Sequence, residues 1–183
     1  MKIVLTPAEM AEADQHAIAT GTPESVLVDR AGRAVGRHAW GMLGGAYGRR
    51  VTVIAGKGNN GADGRVAARL LRAGGVGVDE FLLEEVLDPT ALHRAFARAD
   101  LVIDAMFGTG FRGTVDGAAM TVVRSLDAID VPVLAVDIPS GVDGATGAVA
   151  GAAVHARETV CFAAYKPGLL FEQIGRASCR ERV

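Results

Sequence analysis

At 183 residues the chain is long enough for one domain with a sizeable core. It is half hydrophobic but only 5% aromatic, so the core is expected to be aliphatic, and a net charge of −2 leaves no electrostatic footprint for nucleic acid or an anionic membrane. No apolar run reaches the roughly 18 residues of a membrane span, Met1 to Pro7 turns polar too early for a signal peptide, and two cysteines make no disulfide framework, so a cytoplasmic protein is expected.

Thr6-Pro7-Ala8-Glu9 reads as a helix start, with Thr as N-cap, Pro at the first helical position and Glu three residues after the cap. That helix should run to about Thr20 and stop at Gly21. Thr22-Pro23-Glu24-Ser25 repeats the signal and opens a second helix that ends near Gly44-Gly45. These two helices precede a regular alternation. Apolar runs at 51–55, 78–83, 101–106, 131–136 and 159–164 are separated by helix-like segments near 63–73, 88–98 and 116–127. Near-continuous apolar strands alternating with helices predict an α/β fold: a three-layer Rossmann-like sandwich, its mostly parallel sheet covered by helices on both faces, with two extra N-terminal helices.

In such sheets ligands bind beyond the C-terminal strand ends. Here those ends carry Gly56-Lys57-Gly58-Asn59-Asn60-Gly61-Ala62-Asp63-Gly64, then Asp104 followed by Gly108 to Thr114, then Asp137-Ile138-Pro139-Ser140-Gly141-Val142-Asp143. The three clusters should converge on one cleft. The first is a glycine loop that offers backbone N–H groups to an anion, although G-x-G-x-x-G alone is weak in a chain with 24 glycines. Its Asp63, read as lying in the first helical turn, would repel a bound phosphate unless it met a sugar hydroxyl or a cation. A lone Asp caps a helix or ties a loop about as often as it functions, but Asp63, Asp104 and Asp137 share one edge, and buried carboxylates need partners. Asn60, Asp104 and Ser140 offer hard oxygen ligands for a cation. Lys57, Arg65, Arg112 and Lys166 are candidates for phosphate; Arg65 suits a solvated helix face better, and Lys166, directly after an apolar strand, is the stronger functional candidate. Asp79 or Glu80, on the second strand, hints at a ribose contact. His16, His38, His93 and His155 share no metal-ligand spacing, and Cys161 reads as a small core residue.

GKGNNGADG, Asp104-Ala105-Met106-Phe107-Gly108-Thr109-Gly110, Val136-Asp137-Ile138-Pro139-Ser140-Gly141-Val142-Asp143 and Lys166-Pro167-Gly168 occur in the order of the YjeF N-terminal domain family. Leu5-Thr6-Pro7-Ala8-Glu9-Met10 and Asp29-Arg30-Ala31-Gly32 also resemble it, and the likeness spans nearly all of 1–173. The resemblance implies an NAD(P)HX epimerase, which interconverts the R and S hydrates of NADH and NADPH in nicotinamide nucleotide repair. A dehydratase dependent on ADP or ATP is in many bacteria fused to the C-terminal side. The resemblance further implies that Asn59, Asn60, Gly61, Ala62 and Asp63, with Gly108, Thr109, Gly110, Phe111, Arg112, Gly113, Thr114 and Asp137, bind the hydrated dinucleotide. Asn60, Asp104 and Ser140 would hold a potassium ion. The family usually has glycine where Ala62 stands. Asp137 is the expected acid that protonates the leaving hydroxyl, with Lys166 as a second catalytic candidate. A homodimer through the two leading helices and a separate or fused dehydratase are the expected partners.

Two rival readings remain. One is an NAD(P)-dependent oxidoreductase, suggested by G-x-G-x-x-G; the other is a non-catalytic YjeF-like nucleotide-binding module. Residues 1–173 are taken as the epimerase domain, truncated at its C-terminal end. The polar, arginine-rich 174–183 resembles a translated sequencing adapter and is expected to be non-native.

Overall fold

The computed structural model describes residues 3–85 and 88–170, and the backbone of 178–182. The expected domain end at 173 lies outside the described residues. Helix α1 (Pro7–Ala19) starts as its sequence predicts: the Thr6 side chain accepts from the Glu9 N–H while the Glu9 carboxylate reaches back to the Thr6 N–H, a closed capping box. Helix α2 (Glu24–Leu43) departs from expectation at its start. Pro23 sits at the N-cap with no side-chain bond, so Thr22 does not repeat the capping role; its end at left-handed Gly44 agrees.

The strands are β1 (Arg50–Ala55), β2 (Gly77–Leu82), β3 (Leu101–Ala105), β4 (Val133–Val136), β5 (Glu158–Cys161) and β6 (Ser178–Arg182). Between them run α3 (Asn59–Ala73), α4 (Pro89–Arg98) and α5 (Gly117–Asp127). All pairings are parallel, in the order β2-β1-β3-β4-β5-β6. Alternation along the strands divides the core. Val51, Val53, Leu101 and Ile103 face α2 and α3, while Ile54, Val102 and Val133 face α4 and α5. The layers are helix, sheet, helix, as expected. Cys161 is a small core residue, as expected, and is disulfide-bonded. Strand β6 comes from the stretch expected to be non-native; an unpaired sheet edge accepts any segment able to extend beside it.

Two features of this order position the site. The chain steps from β1 to β2 on one side and returns to β3 on the other, so the ends of β1 and β3 flank the crossover where a crevice opens. The N-terminal segment is tied beside β5: the Leu5 N–H donates to the Tyr165 carbonyl at 2.9 Å and the Tyr165 N–H to that of Ile3 at 3.0 Å. This holds α1 across the C-terminal edge of the sheet, where only Met10 of its residues is buried.

Candidate active site

The glycine stretch after β1 is only partly a loop. Helix α3 starts at Asn59, four residues earlier than its composition suggests, with Gly58 as an uncapped N-cap. A Cβ on Gly61 would lie 1.8 Å from the Gly56 carbonyl oxygen, and one on Gly56 would lie 2.1 Å from that of Met106. Absence of side chains therefore lets the first turn of α3 sit directly on the ends of β1 and β3. That turn has no side-chain cap, and Gly58, Asn59 and Asn60 line the crevice, an arrangement that suits an anion. Asp63, as the fifth residue of α3, falls in the second turn rather than the first, which moves its carboxylate away from the phosphate position assumed for it. Its backbone is fixed from the other side by α2, where a Cβ on Gly32 would meet the Asp63 carbonyl oxygen at 2.5 Å.

Lys166 and Asp137 form a buried pair, of which Asp137 lines both cavities of the crevice and Lys166 lies behind it. Lys166 is fully buried, donates to an Asp137 carboxylate oxygen and gives a second bond to the Phe162 carbonyl at 3.1 Å. Asp137 closes β4 in a left-handed conformation, φ 66°, which an L residue adopts at a cost and which clusters at functional sites. Gly168 explains the Lys-Pro-Gly triplet. Its N–H donates to the Gly144 carbonyl at 2.9 Å, and a Cβ there would lie 2.2 Å from the Asp143 carbonyl oxygen. The turn at 143–147 thus pins the segment that carries Lys166.

A second buried carboxylate, Asp104, is 1% exposed at the end of β3. It accepts from the Ser140 hydroxyl at 2.6 Å, the Ser140 N–H at 2.8 Å and the Met106 N–H at 3.2 Å. Burial pushes its carboxyl up to about 6 against these three bonds, all from neutral donors. The Asn60 amide nitrogen is buried with no partner among the described residues. A carboxylate, a hydroxyl and an amide that can turn its carbonyl inward make an all-oxygen donor set, which fits a hard cation such as potassium. Among the described residues no three His, Cys, Asp or Glu side chains cluster in the manner of a transition-metal site.

Two adjoining cavities of about 680 and 560 Å³ occupy the crevice. The larger lies over Gly56–Asn60 and Met106–Phe111; the smaller runs beneath α1 against Leu27, Val28 and Ala31 of α2. Asp14, Asn59, Asp63, Thr109, Gly110, Asp137 and Phe162 form their shared wall. Of the loop residues, Gly108, Phe111 and Thr114 line the larger cavity and Arg112 the smaller, where the Arg112 guanidinium is bound to the Thr109 and Phe111 carbonyls. The Phe111 ring stacks on that of Phe107 at 4.3 Å and stiffens the loop. Gly113 lies outside both cavities, in a neighbouring groove, Gly61 is buried beneath the helix start, and Ala62 faces α2 with no positive φ. The Ala62 methyl is therefore tolerated.

Asp79 and Glu80 do not reach the crevice. They pair with Arg50 at 3.6 Å and Arg72 at 2.8 Å, so the expected ribose contact is not theirs. The acidic group that lies just past β2 at the crevice is Glu84, 4.0 Å from Lys57. Arg65 is not a merely solvated side chain either, since it donates to the Gly56 carbonyl at 3.1 Å and braces the loop. Asp14 is a site residue that motif reading does not single out, although a signal is in the sequence: it interrupts the stripe Pro7, Met10, Ala11, Ile18 that α1 turns toward the smaller cavity.

A family profile described as YjeF-related protein N-terminus matches residues 24–97 and 86–168. This chain belongs to that family. It is 38% identical to the NAD(P)H-hydrate epimerase of Limosilactobacillus fermentum, an alignment covering 92% of this chain and 89% of that protein. It is also 38% identical to the bifunctional NAD(P)H-hydrate repair enzyme Nnr of Mycobacterium tuberculosis, over 84% of this chain but only 36% of the larger protein. A crystal structure of yeast ynu0 superimposes with a TM-score of 0.79 at 23% identity, covering 90% of this chain and 82% of that one, and shares the fold. Among the described residues no helix is long and apolar enough to cross a membrane.

Proposed function

We propose that the chain is an NAD(P)H-hydrate epimerase, an isomerase that interconverts the R and S hydrates of NADH and NADPH. What carries the reading is 38% identity, over most of both chains, to an enzyme of that name. It agrees with a crevice that has an anion-binding helix start on one side and buried carboxylates on the other. The diphosphate of the substrate would lie against the first turn of α3 and the Gly108–Thr114 loop. The hydrated ring would lie at the shared wall, near Asp63 and Asp137. Inversion needs the ring nitrogen to push out the neighbouring hydroxyl, leaving a planar cation that water attacks on either face. The Asp137 carboxylate, held in place by Lys166, is suited to stabilise that cation.

Asn60, Asp104 and Ser140 would hold potassium, which supplies positive charge beside the phosphates without joining the chemistry at the ring. Relatives such as Nnr support a place beside a dehydratase, either fused or separate. An ordinary NAD(P)-dependent oxidoreductase is disfavoured because Asp79 and Glu80 are held by arginines outside the crevice. A pure binding module is disfavoured by the burial of three carboxylates and a lysine along one edge. The test is a chromatographic assay of the purified S hydrate in potassium chloride and in an organic-cation chloride. Appearance of the R hydrate above the buffer rate, faster with potassium, is expected. Conversion at the buffer rate in both would refute the activity.

A further inference from the structure

Asp63 stands apart from the other buried carboxylates. Asp137 is matched by Lys166 and Asp104 by three hydrogen bonds, whereas the Oδ1 atom of Asp63 is buried with no hydrogen-bond partner among the described residues. Yet Asp63 is not remote: it belongs to the wall shared by both cavities, and its residue is 6% exposed. A buried, unpartnered carboxylate anion is costly, but a carboxylic acid is not, and it has a proton to give.

We infer that Asp63 is the acid–base residue of the epimerisation, donating its proton to the leaving hydroxyl and recovering one from the attacking water. This rests on the epimerase reading above. The step balances without an oxidant or reductant. The nitrogen lone pair forms a carbon–nitrogen double bond as the carbon–oxygen bond breaks, and the Asp63 proton leaves with the departing hydroxyl as water. Water then adds to the other face of the cation, its extra proton returns to Asp63, and the double bond collapses back to the lone pair.

The surroundings keep the proton in place. Facing Asp63 are Asp14 from α1 and Asp137 after β4, with Arg30 of α2, Glu24 of α2 and Arg112 of the 108–114 loop around the same cavity. Lys166 is the buried cation, and it is already bound to Asp137. Burial first, then the Asp137 and Asp14 charges, push the Asp63 carboxyl up to about 8. Burial and Asp137 raise Asp14 as well, with Lys166 opposing. A proton is therefore available on Asp63 at neutral pH, and the close approach of Gly32 to its backbone carbonyl keeps this part of α3 from shifting away.

The experiment is single-epimer turnover between pH 6 and 10 by the full chain, Asp63→Asn and Asp14→Asn, with thermal melts of each. For the unaltered chain kcat should be level near neutrality and fall above about pH 8. Asp63→Asn, nearly the same shape, should lose about 10²- to 10⁴-fold in kcat with KM changed less than about threefold. Asp14→Asn, whatever its effect on the rate at neutral pH, should move the alkaline fall of kcat to lower pH, because one like charge is gone. No turnover by the unaltered chain would overturn the epimerase reading and this one with it. Turnover by the unaltered chain with an Asp63→Asn kcat within about threefold of it would overturn this one alone. Should Asp63→Asn melt early, the Asp14→Asn profile decides: a shifted limb supports the assignment and an unmoved limb overturns it.

Discussion

The ammonium of Lys166, with no exposed surface, donates to the carboxylate of Asp137 across 29 residues of sequence. One partner follows β5 and the other ends β4, so the pair ties together two neighbouring strand ends at the crevice. Removing one member leaves the other as an uncompensated buried charge. Lys166→Met should cost about 3–5 kcal/mol, and the double variant Lys166→Met/Asp137→Asn distinctly less than the sum of the single changes. Urea unfolding of the four proteins measures this coupling. Additive losses would mean that the pair is not one electrostatic unit.

Gly61 and Gly56 predict a steric effect at the floor of the anion site. Gly61→Ala places a methyl 1.8 Å from a carbonyl oxygen that cannot move without displacing β1. The expected loss is about 2–4 kcal/mol by chemical denaturation, well above the change of under about 1 kcal/mol that Ala normally brings to a helix interior in its favour. A stable Gly61→Ala protein would show that α3 is not seated on the strand ends in this way.

Asp63 also makes stability depend on pH. Its folded carboxyl lies above its ordinary value, so the folded chain holds a proton that the unfolded chain has released between about pH 4 and pH 8. Stability should therefore decline as pH rises through that window, by several kcal/mol in all at the scale of about 1.36 kcal/mol per unit. Glu9, Asp100 and Asp143 are shifted the opposite way by hydrogen bonds at exposed positions, and they withdraw their smaller support only on acidification. Asp104, pushed up to about 6, adds a decline of the same sign at the acid end, so melting temperatures from about pH 7 to about pH 9 in one buffer series should fall for the unaltered chain and flatten for Asp63→Asn.

Ser140 bonds Asp104 through both its hydroxyl and its N–H. Ser140→Ala removes the hydroxyl donor and one ligand of the proposed potassium site, and should cost about 1–3 kcal/mol. It should also shrink the rise in melting temperature that potassium chloride gives over tetramethylammonium chloride. An equal potassium effect in both proteins would remove Ser140 from the ligand set.

Strand positions are legible because each central strand is a short apolar run between turn residues, and the Thr6 capping box is legible because it is local. The start of α3 is not. Asn59-Asn60-Gly61-Ala62-Asp63-Gly64 has the composition of a loop, and the contacts of Gly61 with Gly56, just past β1, and of Gly64 with Ala105 of β3 and Val53 of β1 override that local preference. The convergence of Asp104, Asp137 and the glycine stretch follows from the rule for strand ends. The Lys166–Asp137 pairing does not, because spacing along a chain says nothing of which strand ends become neighbours. Asp14 escapes motif reading because α1 lies outside the repeating strand–helix pattern, and it is placed over the crevice by the Leu5–Tyr165 contact.

The most direct measurement follows two reactions, one started from the pure S hydrate and one from the pure R hydrate, each with purified chain and potassium. An epimerase brings both to the same mixture of the two hydrates far faster than buffer does, with no change in total hydrate. Samples that keep their starting epimers, or that drift at the rate of buffer, contradict the assignment.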